Sequence, residues 1–201
     1  MLKLMIGDEA TGYYSAAVAC AGMTGFIFSA IIDSARPSIF ESKNCNIESF
    51  EKNVSRLYSV VIYFALLQCV FITILAKPIV HILYGKEYEP SINALRLIVW
   101  YTTFSYIGSV RNIWILAEGK QKVLWILNLS GALLNVVLNY FLIPILGIMG
   151  AALASLITQI FTNVIMGFII KPIRRNNKLM FQALNPKCVI ELYYKYIYNT
   201  I

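Results

Sequence analysis

Four stretches of this chain, residues 13–32, 57–76, 123–143 and 148–170, contain no Asp, Glu, Lys or Arg. Each is close to the roughly 20 residues that an α-helix needs to cross the hydrocarbon of a bilayer. Within lipid a backbone must satisfy its own N–H and C=O groups, which makes helices the natural reading of such stretches. A fifth stretch, 91–117, is as long but carries Arg96 and Arg111. Only 13% of the 201 residues are charged and 59% are hydrophobic, against about 25% charged in soluble domains. The sequence therefore predicts an all-α integral membrane protein with about five transmembrane helices: span A at 13–32, B at 57–76, C at 91–117, D at 123–143 and E at 148–170.

The intervening residues read as reversals. Residues 33–56 are polar, Lys77-Pro78 and the stretch 85–90 contain helix breakers, 118–122 is a charged turn, and Pro144 and Gly147 interrupt the last apolar stretch. If span A is entered from outside, the inner connections hold Arg36, Lys43, Lys52, Arg56, Lys120, Lys122, Lys171, Arg174, Arg175 and Lys178, while Lys3, Lys77 and Lys86 lie outside. The positive-inside rule then predicts a cytoplasmic carboxyl terminus. Residues 1–6 are apolar but too short to cross, and Gly7, Asp8 and Glu9 follow them; residues 1–9 read as the remnant of a preceding helix and its outer loop. Residues 173–201 are basic and then aromatic, at Tyr193, Tyr194, Tyr196 and Tyr198. They read either as a helix at the headgroup level or as a disordered cytoplasmic tail.

Several function classes lose support at this stage. The cysteines Cys20, Cys45, Cys69 and Cys188 form no CxxC pair, and His81 is the only histidine, so neither a zinc site nor a disulfide framework is indicated. The net charge of +7 is spread over short connections rather than over one face, which speaks against nucleic acid as a partner. No nucleophile and base cluster together, so enzymatic catalysis has no support, and no cofactor is expected.

The interior polar residues are more informative. Span A places Gly22, Gly25, Ser29, Asp33 and Arg36 on one helical face. Such a face lines a cavity or, more commonly, lets a neighbouring helix approach. Asp33 and Arg36 are also spaced for a local pair, with snorkelling to the interface as the simpler use. Arg96 lies near the outer surface. Arg111, next to Asn112, lies about two turns inside the inner end of span C, where it either meets an anion in a protein interior or anchors to the inner leaflet. Span D carries Asn128, Gly131, Asn135 and Asn139 along one face, amides suited to interhelical bonds first and sugar hydroxyls second. Span E carries Gly147, Ala151, Ala154, Thr158 and Thr162, with Gln159 and Asn163 nearby, again a packing stripe by default.

Four segments together carry a family resemblance: Gly12-Tyr13-Tyr14-Ser15-Ala16-Ala17; the run from Ala76-Lys77-Pro78 to Tyr84-Gly85-Lys86-Glu87-Tyr88; Arg111-Asn112-Ile113-Trp114 through Glu118-Gly119-Lys120; and Asn135-Val136-Val137-Leu138-Asn139 with Ile143-Pro144 and Gly147-Ile148-Met149-Gly150-Ala151-Ala152. With their spacing they cover about residues 1–171, and the chain there resembles the carboxyl-terminal half of the Wzx-type polysaccharide flippases, within the multidrug, oligosaccharidyl-lipid and polysaccharide exporters.

The resemblance implies most of the second six-helix lobe of a two-lobe exporter, with residues 10–172 as its membrane domain and the first lobe absent. It implies a bacterial cytoplasmic membrane location and membrane lipids as surroundings. The activity implied is transfer of an undecaprenyl-diphosphate-linked oligosaccharide to the outer leaflet for O-antigen or capsule synthesis. It also implies that Arg111, Asn112, Asn135, Asn139, Asp33 and Arg36 face the substrate cavity. One lobe offers one wall, so the resemblance further implies a separate amino-terminal lobe or a second copy as partner. A drug or peptidoglycan-precursor exporter of the same architecture, or a fragment inactive without its partner lobe, are the alternatives.

Overall fold

The computed structural model describes residues 1–185; the tyrosine-rich end of the carboxyl-terminal segment, with Cys188, lies outside the described residues. Among those described there is no strand. The helices are α1 (Leu2–Ile6), α2 (Asp8–Gly22), α3 (Gly25–Cys45), α4 (Ile47–Tyr84), α5 (Ser91–Ala117), α6 (Lys122–Leu146), α7 (Ile148–Ile160), α8 (Met166–Ile169) and α9 (Arg174–Gln182). Short 3₁₀ turns occupy Lys86–Tyr88 and Lys171–Ile173, and a π-helical turn, Phe161–Ile165, joins α7 to α8.

Three helices are long and apolar enough to cross a membrane, Ile47–Tyr84, Lys122–Leu146 and Ile148–Ile169. A fourth crossing is added when the bent pair Asp8–Gly22 and Gly25–Cys45 is counted as one span. This corrects the expectation of about five. Helix α5 has the expected bounds, but Arg96, Arg111, Thr102, Thr103, Ser105, Ser109 and Asn112 lower its apolar character. It keeps them as the central helix, packed against α2, α3, α4 and α7, where bundle rather than lipid surrounds most of its surface.

Span A is corrected as well. The expected single helix at 13–32 breaks at Met23 and Thr24, and α2 and α3 meet at 45°. Glycines 22 and 25 flank the break, and Thr24 makes no side-chain cap hydrogen bond. The polar stretch after span A is helical too: α3 continues through Pro37 to Cys45, and Asn46 accepts from the Glu48 N–H at 3.0 Å to start α4, as N-cap chemistry requires. Pro78 and Pro144, expected to end helices, lie inside α4 and α6, a use that membrane helices tolerate. The actual reversals fall at Gly85 and Gly147, whose φ values of 87° and 58° other residues adopt only at a cost.

The core runs between α4 and α5, where Tyr58, Val61, Leu95 and Trp114 are fully buried. Helix α6 packs on α7 and turns Trp125, Leu129, Leu133 and Tyr140 outward, each more than 60% exposed. In an aqueous protein such a face would be an aggregation hazard; against lipid it is the expected solvent contact. Gly131 lets α6 approach α7, because a Cβ there would lie 2.7 Å from Thr162 Cγ2. For span D the close-packing reading of its small residue is therefore correct.

The segment after α8 is part of the bundle rather than a loose tail. Asn176, Asn177, Leu179 and Met180 of α9 are buried. Tyr58 donates to Asn176 Oδ1 at 2.8 Å, Ser59 to the Ala183 carbonyl at 2.9 Å, and Tyr63 to the Leu184 carbonyl at 2.8 Å. At the same end, the Glu118 carboxylate pairs with Lys43 from α3 and with Lys120 at 2.9 Å. Lys120 also donates to the Pro172 carbonyl at 3.2 Å, and Arg175 pairs with Glu51. Partial burial pushes the Glu118 carboxyl up, but the two lysines together outweigh that and hold it below the usual carboxylate range.

Candidate functional site

The expected site residues come from three helices, and the structure gathers them into two adjoining polar cavities. The first, of about 450 Å³, lies between α5, α6 and α7 and is lined by Arg111, Asn112 and Asn135 together with Asn128, Gln159 and Asn163. The second, of about 360 Å³, lies between α3 and α5 and is lined by Asp33, Arg36 and Asn112. Ser105, Ser109 and Asn112 line both cavities, so one stripe of α5 forms the ridge of a single polar trough. Asn139 is the exception among the expected residues. It does not line either cavity but donates to Asn135 Oδ1 at 2.8 Å, while Asn135 donates to Thr158 Oγ1 at 3.3 Å. Its place is behind Asn135, fixing that amide's orientation.

Arg111 is set by the π-helical turn. A turn of this kind leaves carbonyls that the regular ladder does not satisfy, and Arg111 donates through Nη1 to the Thr162 carbonyl. Its Nη2 donates to Asn112 Oδ1 at 3.3 Å. From the same turn, Asn163 donates to the Phe104 carbonyl at 3.0 Å, and Asn177 donates to the Val164 carbonyl at 3.2 Å. The guanidinium is 7% exposed and Nε has no partner. None of the ion pairs among the described residues includes Arg111. The inner-leaflet anchor reading does not hold, since the side chain is enclosed by α5 and the turn after α7.

Asp33 and Arg36 form the local pair that their spacing allows, at 3.0 Å, and both are exposed. Of the glycines in that stripe, Gly22 has no atom near its missing Cβ, and Gly25 has only the Tyr106 hydroxyl at 3.6 Å. That stretch of span A thus borders open space rather than a tightly packed neighbour.

The trough also includes Ser105 and Ser109, which sequence reasoning passed over. Their signal was available: Ser105, Ser109 and Asn112 recur at steps of four and three within an apolar segment, which places them on one face. Among the described residues no group of His, Cys, Asp and Glu is arranged to hold a metal ion.

Residues 3–93 match the family model described as polysaccharide biosynthesis protein. The match runs from α1 to the start of α5 and so contains Asp33 and Arg36 but not the rest of the trough. It supports a role in polysaccharide biosynthesis or export by a membrane protein. No curated protein and no solved structure matches the chain.

Proposed function

We propose that this chain forms one wall of a flippase that carries an undecaprenyl-diphosphate-linked oligosaccharide across the bacterial cytoplasmic membrane, its carboxyl terminus on the cytoplasmic side. The observation that carries the reading is the enclosed Arg111 guanidinium, a cation without a carboxylate, on the wall of a trough otherwise made of amides and hydroxyls. A charge so enclosed costs several kcal/mol or about that in effective desolvation unless an opposite charge offsets it. A diphosphate fits, because a guanidinium bonds phosphate oxygens through paired N–H groups. Asn112, Asn135 and Asn128 supply donors and acceptors suited to sugar hydroxyls. Arg36 is held by Asp33, which assigns it to the trough's electrostatic rim rather than to a direct contact. The trough's remaining wall comes from a partner lobe or a second copy. The match to polysaccharide biosynthesis supports this substrate class over a drug.

The test is Arg111→Ala and Arg111→Lys in cells whose surface polysaccharide depends on the protein. Both variants should reach the membrane in wild-type amounts while surface polysaccharide falls, more for Ala than for Lys. Unchanged polysaccharide at unchanged abundance for both would reject Arg111 as the diphosphate contact.

A further inference from the structure

A third cavity is chemically unlike the trough. It has a volume of about 690 Å³, lies between the α2–α3 break and α4, and its lining includes Met23, Phe64, Phe71, Leu75 and Ile79. From Phe64 to Leu83, both on its wall, α4 rises roughly 28 Å at 1.5 Å per residue, close to the full hydrocarbon thickness. The rim is open, with Leu67 66%, Phe71 60% and Ile82 81% exposed.

Volume over length indicates which occupant suits it. Spread over that rise, the cavity has a mean section of roughly 25 Å², whereas a helix about 10 Å across fills roughly 80 Å². A docking helix does not fit. A single hydrocarbon chain, whose carbons sit about 4 Å from their neighbours, does.

The floor of the groove carries a second signal. Thr24 and Gln68 line it, Gln68 is 9% exposed, and neither the amide oxygen nor the nitrogen of Gln68, nor the Thr24 hydroxyl, makes a hydrogen bond of good geometry. Buried polar atoms left in this state point to a missing partner. The Tyr106 hydroxyl lies close to Thr24, Gln68 and Thr102, and Tyr106 itself lines the polar trough. Its ring stacks on Phe28 with centroids 3.9 Å apart, and Phe28 meets Phe64, on the groove wall, edge-on at 5.9 Å. Groove and trough are thus separated by one layer of side chains at the helix break, and polar atoms without partners sit at that neck.

We propose that the groove holds the hydrocarbon chain of the same lipid whose diphosphate head occupies the trough, with Gln68 and Thr24 meeting oxygen atoms where head and chain join. This rests on the reading of the trough given above. A lipid-linked head can enter a polar cavity at mid-membrane depth only if its chain leaves sideways into an apolar path. The α2–α3 break supplies that exit, with Phe28 and Tyr106 as the layer the chain passes.

The experiment measures binding to the purified full chain of two probes, inorganic diphosphate and geranylgeranyl diphosphate, in wild type, Leu75→Trp, which fills the groove, and Leu67→Trp on its open rim. Both variants should weaken geranylgeranyl diphosphate by at least about ten-fold and leave inorganic diphosphate within about two-fold. Equal effects on both probes, or no effect on either, would overturn the groove assignment. If inorganic diphosphate fails to bind wild type while the prenyl probe binds and responds to the groove variants, the trough reading fails and the groove stands. A diazirine-bearing geranylgeranyl diphosphate, applied to wild type, should label α4 between Phe64 and Leu83. Labelling elsewhere, or labelling removed by excess phospholipid, would assign the groove to bulk lipid and overturn the proposal without relying on a variant that folds.

Discussion

Two regions of this bundle bury polar side chains, and they use them differently. In the seam between α4 and α9, Tyr58, Ser59 and Tyr63 each donate to a fixed acceptor in or just after α9. In the trough, polar groups border a cavity of about 450 Å³, and a guanidinium with an unpaired Nε stands on its wall. The seam closes upon itself as a fastener, whereas the trough retains donors facing open space, as a binding surface must. Burial of polar groups alone would not have separated the two; what their partners are does.

Substitutions can break or sharpen this contrast. The largest effect should come from the core that both regions share. Trp114→Ala removes a fully buried indole and should destabilise the bundle by about 3–5 kcal/mol, read as a lowered thermal unfolding midpoint and lost membrane abundance. Asn176→Leu, in the seam, should cost about 1–3 kcal/mol by leaving the Tyr58 hydroxyl without its acceptor, and should leave diphosphate binding in the folded fraction unchanged. If it instead weakened binding as much as stability, the separation between fastener and site would fail.

In the trough the effects should invert. Asn135→Leu should lower the unfolding midpoint less than Asn176→Leu, since Asn135 is only partly buried, yet reduce surface polysaccharide at equal abundance. A larger loss of stability than of polysaccharide would move Asn135 to the fasteners. The smallest effect concerns the Glu118 cluster. Its carboxyl is held below the ordinary range in the folded state, so its contribution to stability is present above the unfolded carboxylate value and lost as pH falls through the folded one. Unfolding midpoints of wild type should therefore drop on acidification, and Glu118→Gln should flatten that dependence. An unchanged slope would remove Glu118 from the account.

How much of this was legible beforehand varies by element. The bounds of α5, 91–117, were readable because Pro90 and the turn after Ala117 mark them. Helix α6 and the α7 to α8 run lie within a few residues of their expected positions because Gly147 must reverse the chain. The region from Asp33 to Arg56 was misread as a polar connection, since a helix that continues beyond the apolar layer carries the same residue types as a loop. Pro78 and Pro144 misled for a related reason: the cost of proline in a helix is set by what surrounds it. Of the six candidate trough residues, Arg111, Asn112, Asn135, Asp33 and Arg36 line the cavities, and Asn139 supports Asn135 instead. Ser105 and Ser109 went unread because hydroxyls in membrane helices so often bond their own backbone, as the Ser109 hydroxyl does to the Ser105 carbonyl at 3.2 Å.

By itself the sequence determined that the chain is helical and suited to a membrane, because the absence of charge over span-length stretches is a local property that burial cannot alter. Which helices truly have crossing character, and that α2 and α3 meet at a break, were decided by tertiary packing. So were the enclosure of Arg111 without a carboxylate, the π-helical turn that orients it, and the nearness of an apolar groove to a polar trough. These features depend on side chains far apart in sequence meeting at one place, and periodicity along a single helix carries no information about which neighbour its polar face will meet.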